Sequence, residues 1–135
     1  MKNLMSTNIY DVTDEILVCG KCIEQVQPDG YKKILDICPN IYGVCLEETH
    51  MNMIVSKITA MMSTGKIKKI ILVTVDGSPH CVQLHYIKKE ILRRITNFDY
   101  QIINYVVIDN NLIEIDSDTI SLSKNLSNLQ GKIKI

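Results

Sequence analysis

Aromatic side chains and net charge are both scarce in this sequence. It contains no Trp and one Phe, and its 15 Lys and Arg residues balance its 15 Asp and Glu residues, so the formal net charge is zero. Proteins that bind nucleic acid rely on a positive electrostatic field, and those that hold single strands also stack the bases on aromatic rings. We therefore expect no nucleic-acid partner.

Long apolar segments are also missing. No uninterrupted apolar run approaches the roughly 20 residues that a membrane-spanning helix needs. The first residues, Met1 to Met5, do not begin a signal-peptide pattern. We therefore expect a soluble, cytoplasmic protein with no membrane partner.

The length of 135 residues suits one domain, because domains most often contain about 100–150 residues. The sequence shows no internal repeat, low-complexity tract or linker. We therefore predict a single domain over residues 1–135.

Apolar runs alternate with amphipathic segments in the middle of the chain. The runs are residues 41–46, 70–75 and 102–108. Apolar residues at helical spacing fill the first gap, between Thr49 and Gly65, and a second helix is predicted over about 79–95. Near-continuous apolar strands that alternate with helices are typical of a parallel sheet covered on both faces. The pattern predicts a βαβαβ core over about 41–108.

The two ends of the chain are less regular. Residues 11–26 and 30–37 suggest two short helices, with a strand around Ile16 to Val18 as the alternative. Residues 112–115 fit an antiparallel edge strand or hairpin, and the segment after Ser117 fits a short helix or a loose tail. Together these predictions describe a small three-layer α/β domain with a mainly parallel, Rossmann-like sheet.

The loop after the second predicted strand has the most distinctive composition. It reads Asp76-Gly77-Ser78-Pro79-His80-Cys81. Ser is a preferred helix N-cap and Pro a preferred first helical residue, so the amide groups of the following turn are expected to be free to hold an anionic group. Asp76, Gly77 and Ser78 are the predicted ligand-binding residues of this loop. His80 and Cys81 are its candidate catalytic pair.

Polar residues also follow the other two predicted strands. Because parallel strands end at one edge of the sheet, where ligands bind, we expect these residues to face the same crevice. Glu47, Glu48 and His50 follow the first strand, and Asp109, Asn110 and Asn111 follow the third. Of these, Glu48, His50 and Asp109 are predicted to contact a small-molecule or anionic ligand.

The five cysteines form an odd set without an export signal, so we expect free thiols rather than a disulfide framework. Cys19 and Cys22 are separated by two residues, a spacing that suits one metal or a redox pair. Alone they form half a site. Cys45 and Cys81 complete a candidate zinc or iron–sulfur site, with His50 or His80 as a substitute ligand. Incidental burial of the thiols is the structural alternative.

One further metal arrangement pairs Cys81 with His85, four residues later on the predicted helix. The zinc deaminase signature, the Gly-x-Gly-x-x-Gly fingerprint and the P-loop are absent from the sequence.

These observations leave three functions open. The first is a ligand- or cofactor-binding protein with a Cys/His site at the carboxyl edge of the sheet. The second is a cysteine-dependent enzyme in which Cys81 attacks an electrophile and His80 or His50 acts as the base. The third is a non-catalytic binding module, either a homodimer or a subunit of a larger complex. The sequence alone does not decide whether the protein is an enzyme.

Overall fold

The computed structural model describes residues 1–133 and contains six strands. The strands are β1 (Lys2–Asn3), β2 (Asp14–Gly20), β3 (Ile41–Val44), β4 (Ile67–Val75), β5 (Gln101–Ile108) and β6 (Asn111–Ile115). The α-helices are α1 (Ile23–Val26), α2 (Pro28–Ile37), α3 (Met51–Ser63), α4 (Ile87–Arg94), α5 (Ser117–Lys124) and α6 (Leu126–Ile133). Two 3₁₀ helices span Ile9–Asp11 and Cys81–Tyr86. None of the helices in this part of the chain is long and apolar enough to cross a bilayer.

The sheet order is β1-β3-β2-β4-β5-β6. All neighbouring pairs are parallel except β5 and β6, which form an antiparallel hairpin at the edge. The helices α1 and α2 cover one face of the sheet, and α3 and α4 cover the other. The predicted α/β class, with its mainly parallel sheet and antiparallel edge strand, is confirmed.

The segment 14–20 is the central strand of the sheet, so the predicted helix over residues 11–26 is wrong and the alternative strand is right. Ile16 and Val18 pack under α3 and α4, whereas Leu17 and Cys19 pack under α1 and α2. A strand covered on both faces shows no alternation of polar and apolar residues. The sequence periodicity therefore could not distinguish it from a helix.

The position of β2 also changes which strands are neighbours. The first two predicted strands, β3 and β4, run in the same direction, but β2 lies between them and pairs with both. The chain therefore leaves the central strand toward one side of the sheet and later returns to its other side. That reversal creates a topological switch point between β2 and β4.

The helix predicted over about 79–95 is divided into two parts. Residues 81–86 form a 3₁₀ helix, and α4 begins only at Ile87. A 3₁₀ helix places every third residue on the same side. Cys81, Leu84 and Ile87 accordingly all lie buried against the sheet.

A buried polar triad joins this 3₁₀ helix to the sheet. His85 Nε2 lies 2.6 Å from Thr74 Oγ1, and His85 Nδ1 lies 2.8 Å from Asn104 Oδ1. The Asn104 oxygen accepts a hydrogen bond from Nδ1–H, so Nε2 accepts one from the threonine hydroxyl. Both ring nitrogens are thus engaged, and His85 is not available as the metal partner of Cys81. Burial lowers the pKa of His85, and the bond to Asn104 opposes this shift.

The β5–β6 hairpin is attached to α2. Asp109 and Asn110 have φ values of 49° and 61°, the left-handed conformation that a tight hairpin turn requires. Asn110 Oδ1 accepts a hydrogen bond from the Gly30 amide at 3.1 Å. A Cβ atom on Gly30 would lie 2.8 Å from Val107 Cγ1, so only glycine permits this close contact between α2 and β5.

We predict that Gly30→Ala lowers the free energy of unfolding by about 1–3 kcal/mol, because the added methyl group forces α2 away from the sheet. This loss exceeds the gain of up to about 1 kcal/mol that alanine brings to a helix. Gly131→Ala in α6 is the matched control, since no atom lies within 4 Å of its added Cβ. Urea denaturation measures both variants, and equal stabilities would contradict this account of α2 packing.

We also predict that stability decreases as the pH falls below about 6.5. The pKa of His85 is lowered in the folded protein, so the unfolded chain takes up this proton first and is favoured in acid. Denaturant titrations at pH 7.5, 6.5 and 5.5 measure how steeply the free energy of unfolding falls with pH. His85→Gln should reduce this slope, whereas His50→Gln, at an exposed position, should leave it unchanged. An unaltered slope in His85→Gln would show that another group is responsible.

Candidate functional site

The switch point between β2 and β4 lies where ligands bind in open α/β sheets, in the crevice outside the carboxyl ends of the strands. Three loops meet there because β3, β2 and β4 are adjacent and parallel. They are the segment after Gly20, the segment after Val44 and the segment after Val75, which ends with Cys81 at the start of the second 3₁₀ helix.

These loops enclose a cavity of about 150 Å³. Its lining residues are Gly20, Lys21, Cys22, Val44, Cys45, Leu46, Glu47, Ser78, His80 and Cys81. We call this space the thiol cavity, because one cysteine from each of the three loops contributes to its wall. Five residues of the predicted site are thus brought together: Ser78, Cys22, Cys45, His80 and Cys81.

The three thiols lie at different depths. Cys22 is exposed, Cys45 is half-buried and Cys81 is buried. The sulfurs of Cys81 and Cys22 lie 3.6 and 3.7 Å from the point that a Cβ atom on Gly20 would occupy. Both sulfurs therefore lie beside Gly20, which has no side chain to occupy the space next to them.

Although Cys22 is exposed as a residue, partial burial of its thiol and the two thiols beside it raise the pKa of that group. Its pKa is raised mainly by burial, and the neighbouring thiols of Cys81 and Cys45 raise it further. Cys19 does not line the cavity, because its side chain packs on the other face of the sheet beside Ile23 and Ile34. Burial raises the pKa of Cys19 to about 12.

One of the backbone amides that was expected to bind an anion already donates a hydrogen bond to the Ser78 hydroxyl. Ser78 Oγ accepts a hydrogen bond from the backbone N–H of Cys81 at 3.3 Å. Because the segment begins as a 3₁₀ helix, Pro79 lies before its first residue rather than within it. The N-cap position belongs to His80 rather than to Ser78 as predicted, and the amide of Cys81 already donates to the Ser78 hydroxyl.

His80 joins two of the loops at the rim of the cavity. Its Nε2 atom lies 3.5 Å from Glu47 Oε1, and both side chains are exposed. Within residues 1–133, no hydrogen bond links His80 to Cys81. The geometry therefore places the imidazole beside a carboxylate rather than a thiol.

Five other predicted site residues lie outside the cavity lining: Asp76, Gly77, Glu48, His50 and Asp109. Gly77 has a φ of 83° and lies with Asp76 in an exposed turn. His50 is the N-cap of α3. Asp109 does not reach the cavity, because β5 turns directly into its hairpin with β6.

Two lining residues, Gly20 and Lys21, were missed because the segment 11–26 was interpreted as mainly helical. The available signal was the fully apolar run from Ile16 to Cys19, which ends at a glycine. A strand at this position would have directed the Gly20–Cys22 segment to the carboxyl edge of the sheet.

In residues 1–133, no group of three or more His, Cys, Asp or Glu side chains is already gathered so that it could hold a metal ion. The thiols line the cavity without forming a closed ligand set. Chemically, the cavity offers soft sulfur donors next to a cation, Lys21, and an imidazole–carboxylate pair at its rim.

Comparison with known proteins identifies the fold family. A family model described as a Rossmann-like domain matches residues 12–133. No curated protein and no solved structure matches the chain. The matched range contains the central strand, the switch point and every residue that lines the thiol cavity. The chain therefore belongs to the Rossmann-like domain family.

Proposed function

We propose that this Rossmann-like domain is a small binding module that takes up a thiophilic metal ion, or a metal–sulfur centre, on Cys22, Cys45 and Cys81. One observation carries the proposal: three cysteines from three separate loops line a single cavity at the switch point of the sheet. Their positions are distant in the sequence, so local turn chemistry does not account for their convergence.

The donor set supports this class of ligand. Cysteine thiolates favour zinc, copper(I) and iron–sulfur clusters over hard cations such as magnesium. Each thiol that binds releases its proton to solvent, and the positive charge of the metal reverses the effects that raise the pKa of Cys22. Metal binding would require the three side chains to move together, because they are not gathered around one point in the structure. A four-coordinate metal ion held by three cysteines would keep one coordination position open for water, His80 or a further small ligand.

The dimensions of the cavity argue against a dinucleotide cofactor. Binding sites for drug-sized ligands occupy about 300–1,000 Å³, whereas the thiol cavity measures about 150 Å³. The loop after β2 reads Gly20-Lys21-Cys22-Ile23 and lacks the repeated glycines that let a backbone approach a pyrophosphate. The residues at this switch point thus do not fit the dinucleotide that many doubly wound sheets bind.

The enzyme hypothesis receives less support from the geometry. A nucleophilic cysteine needs a base within hydrogen-bond reach or a depressed thiol pKa. His80 is paired with Glu47, His50 lies outside the cavity lining, and Cys81, the proposed nucleophile, is buried. A binding module without covalent catalysis is therefore the better account of these residues. Self-association and a cytoplasmic location stay predictions.

We predict that the metal-free thiols react slowly at neutral pH. Cys22 is exposed, but its raised pKa keeps the thiolate fraction low, so its alkylation by iodoacetamide should accelerate as the pH rises above 9. Cys19 should react only after unfolding. Mass spectrometry of peptides after timed alkylation measures each site. Rapid alkylation of Cys22 or Cys81 at pH 7 would instead support the nucleophile hypothesis.

We predict that the reduced, chelator-treated protein binds about one equivalent of Co²⁺ or Zn²⁺ under anaerobic conditions. Cobalt–thiolate absorption in the near ultraviolet reports sulfur ligation, and a pH indicator reports the released protons. Reconstitution with Fe²⁺ and sulfide, followed by visible absorption, tests the cluster form. Loss of a group that only supports a ligand already reduces metal affinity about 10–100-fold, so Cys22→Ser, Cys45→Ser or Cys81→Ser should weaken Zn²⁺ binding at least about tenfold.

Two further variants make the metal test specific. Gly20→Ala retains every thiol but places a methyl group at ordinary contact distance from the sulfurs of Cys22 and Cys81, so it should hinder their movement toward a metal ion and weaken binding without unfolding the protein. Cys38→Ser removes a buried thiol near the backbone oxygen atoms of Glu15 and Asn40, outside the cavity, and should leave the affinity unchanged. Absence of uptake, or an equal loss in Cys38→Ser, would refute the proposed site.

A further inference from the structure

A second cleft, of about 180 Å³, lies between α4 and α5. Its lining includes three lysines and two serines: Lys88, Lys89, Lys124, Ser117 and Ser121. We propose that this lysine cleft binds a small organic phosphate, with the phosphate on the lysines and an apolar body on the floor. The site is separate from the thiol cavity and does not depend on the proposed metal function.

The charge of the cleft supports an anionic ligand. No carboxylate lies among its lining residues, although acidic and basic residues are equal in number over the whole chain. The ion pairs found in residues 1–133 leave Lys88, Lys89 and Lys124 without a carboxylate partner. Three like charges around one cleft repel one another, and an anion between them relieves that repulsion.

Two of the lysines are held in place by neighbouring side chains. Lys88 Nζ donates a hydrogen bond to Ser117 Oγ at 2.7 Å. Lys124 Nζ lies 4.7 Å from the centre of the Tyr86 ring, and the Tyr86 hydroxyl lies 3.2 Å from Ser123 Oγ. These contacts position two ammonium groups from α4 and α5 before any ligand arrives, which reduces the entropy that binding would cost.

The donors suit a phosphate better than a carboxylate. A phosphate monoester carries about −1.5 to −2 charges near pH 7 and three terminal oxygens, which match several ammonium and hydroxyl donors. A carboxylate offers one charge and two oxygens.

The remaining lining residues favour an apolar body on the ligand. Leu92 is 49% exposed and lies in the cleft with Ile120 and the Tyr86 ring. Apolar surface of this kind gains free energy when a ligand removes it from water. Free inorganic phosphate would leave this surface uncovered, so the proposed ligand is an organic phosphate of small size.

We expect hexyl phosphate to bind at least about tenfold more tightly than inorganic phosphate, since burial of about two methylene groups supplies that factor. Heptanoate should bind more weakly than hexyl phosphate. Titration followed by two-dimensional NMR measures the affinities and locates the shifts, which should centre on α4 and α5. Equal affinity for the two phosphates, or tighter binding of heptanoate, would overturn the proposal.

Variants test the role of each part of the lysine cleft. The double variant Lys88→Gln, Lys124→Gln should weaken hexyl phosphate binding about tenfold or more. Leu92→Ser should remove the preference for hexyl phosphate over inorganic phosphate. Lys66→Gln is the matched control, because this exposed lysine lies outside the cleft, and an equal loss there would reveal unspecific attraction only. Cys22→Ser should retain hexyl phosphate binding, which separates this test from that of the metal site.

Discussion

The parallel pairing of β2 with both β3 and β4 is the constraint on which the rest of the structure depends. Residues 16–20 of this strand are completely enclosed, with α1 and α2 on one side and α3 and α4 on the other. Each fully buried aliphatic side chain of this kind contributes about 1.5–3 kcal/mol through the hydrophobic effect. The same strand creates the switch point, because its two neighbours are reached by crossovers in opposite directions. The hydrophobic core and the candidate site therefore both depend on β2.

The 3₁₀ helix over residues 81–86 connects the buried polar triad with the two proposed binding sites. Its threefold spacing turns Cys81 and Leu84 inward, and His85 is fixed between Thr74 and Asn104. Cys81 at its first residue lines the thiol cavity, while Tyr86 at its last residue lines the lysine cleft. The polar triad thus holds a wall that both sites share.

Much of the fold could be predicted from local pattern. Apolar runs such as Ile70 to Val75 indicated buried strands, and the residues after Thr49 indicated an amphipathic helix, because burial imposes its period directly on the sequence. The central strand was misinterpreted for the same reason, since burial on both faces removes the alternation. The loop around Ser78 and Cys81 was correctly placed at the carboxyl edge. Asp109 also follows a strand at this edge but does not line the cavity, because β5 turns directly into its hairpin with β6 and the sequence does not show which way a strand exit turns.

The sequence by itself determined the elements that depend on near neighbours: most of the buried strands, the amphipathic helices and a set of unpaired thiols. Only the tertiary structure decided which thiols share a cavity. Cys19 and Cys22 are close in the chain, yet alternation along β2 sends Cys19 into the core, and Cys22 instead meets Cys45 and Cys81. Strand order is set by the packing of whole layers, a global free-energy balance that no local spacing encodes. That order, more than any motif, assembled the candidate site.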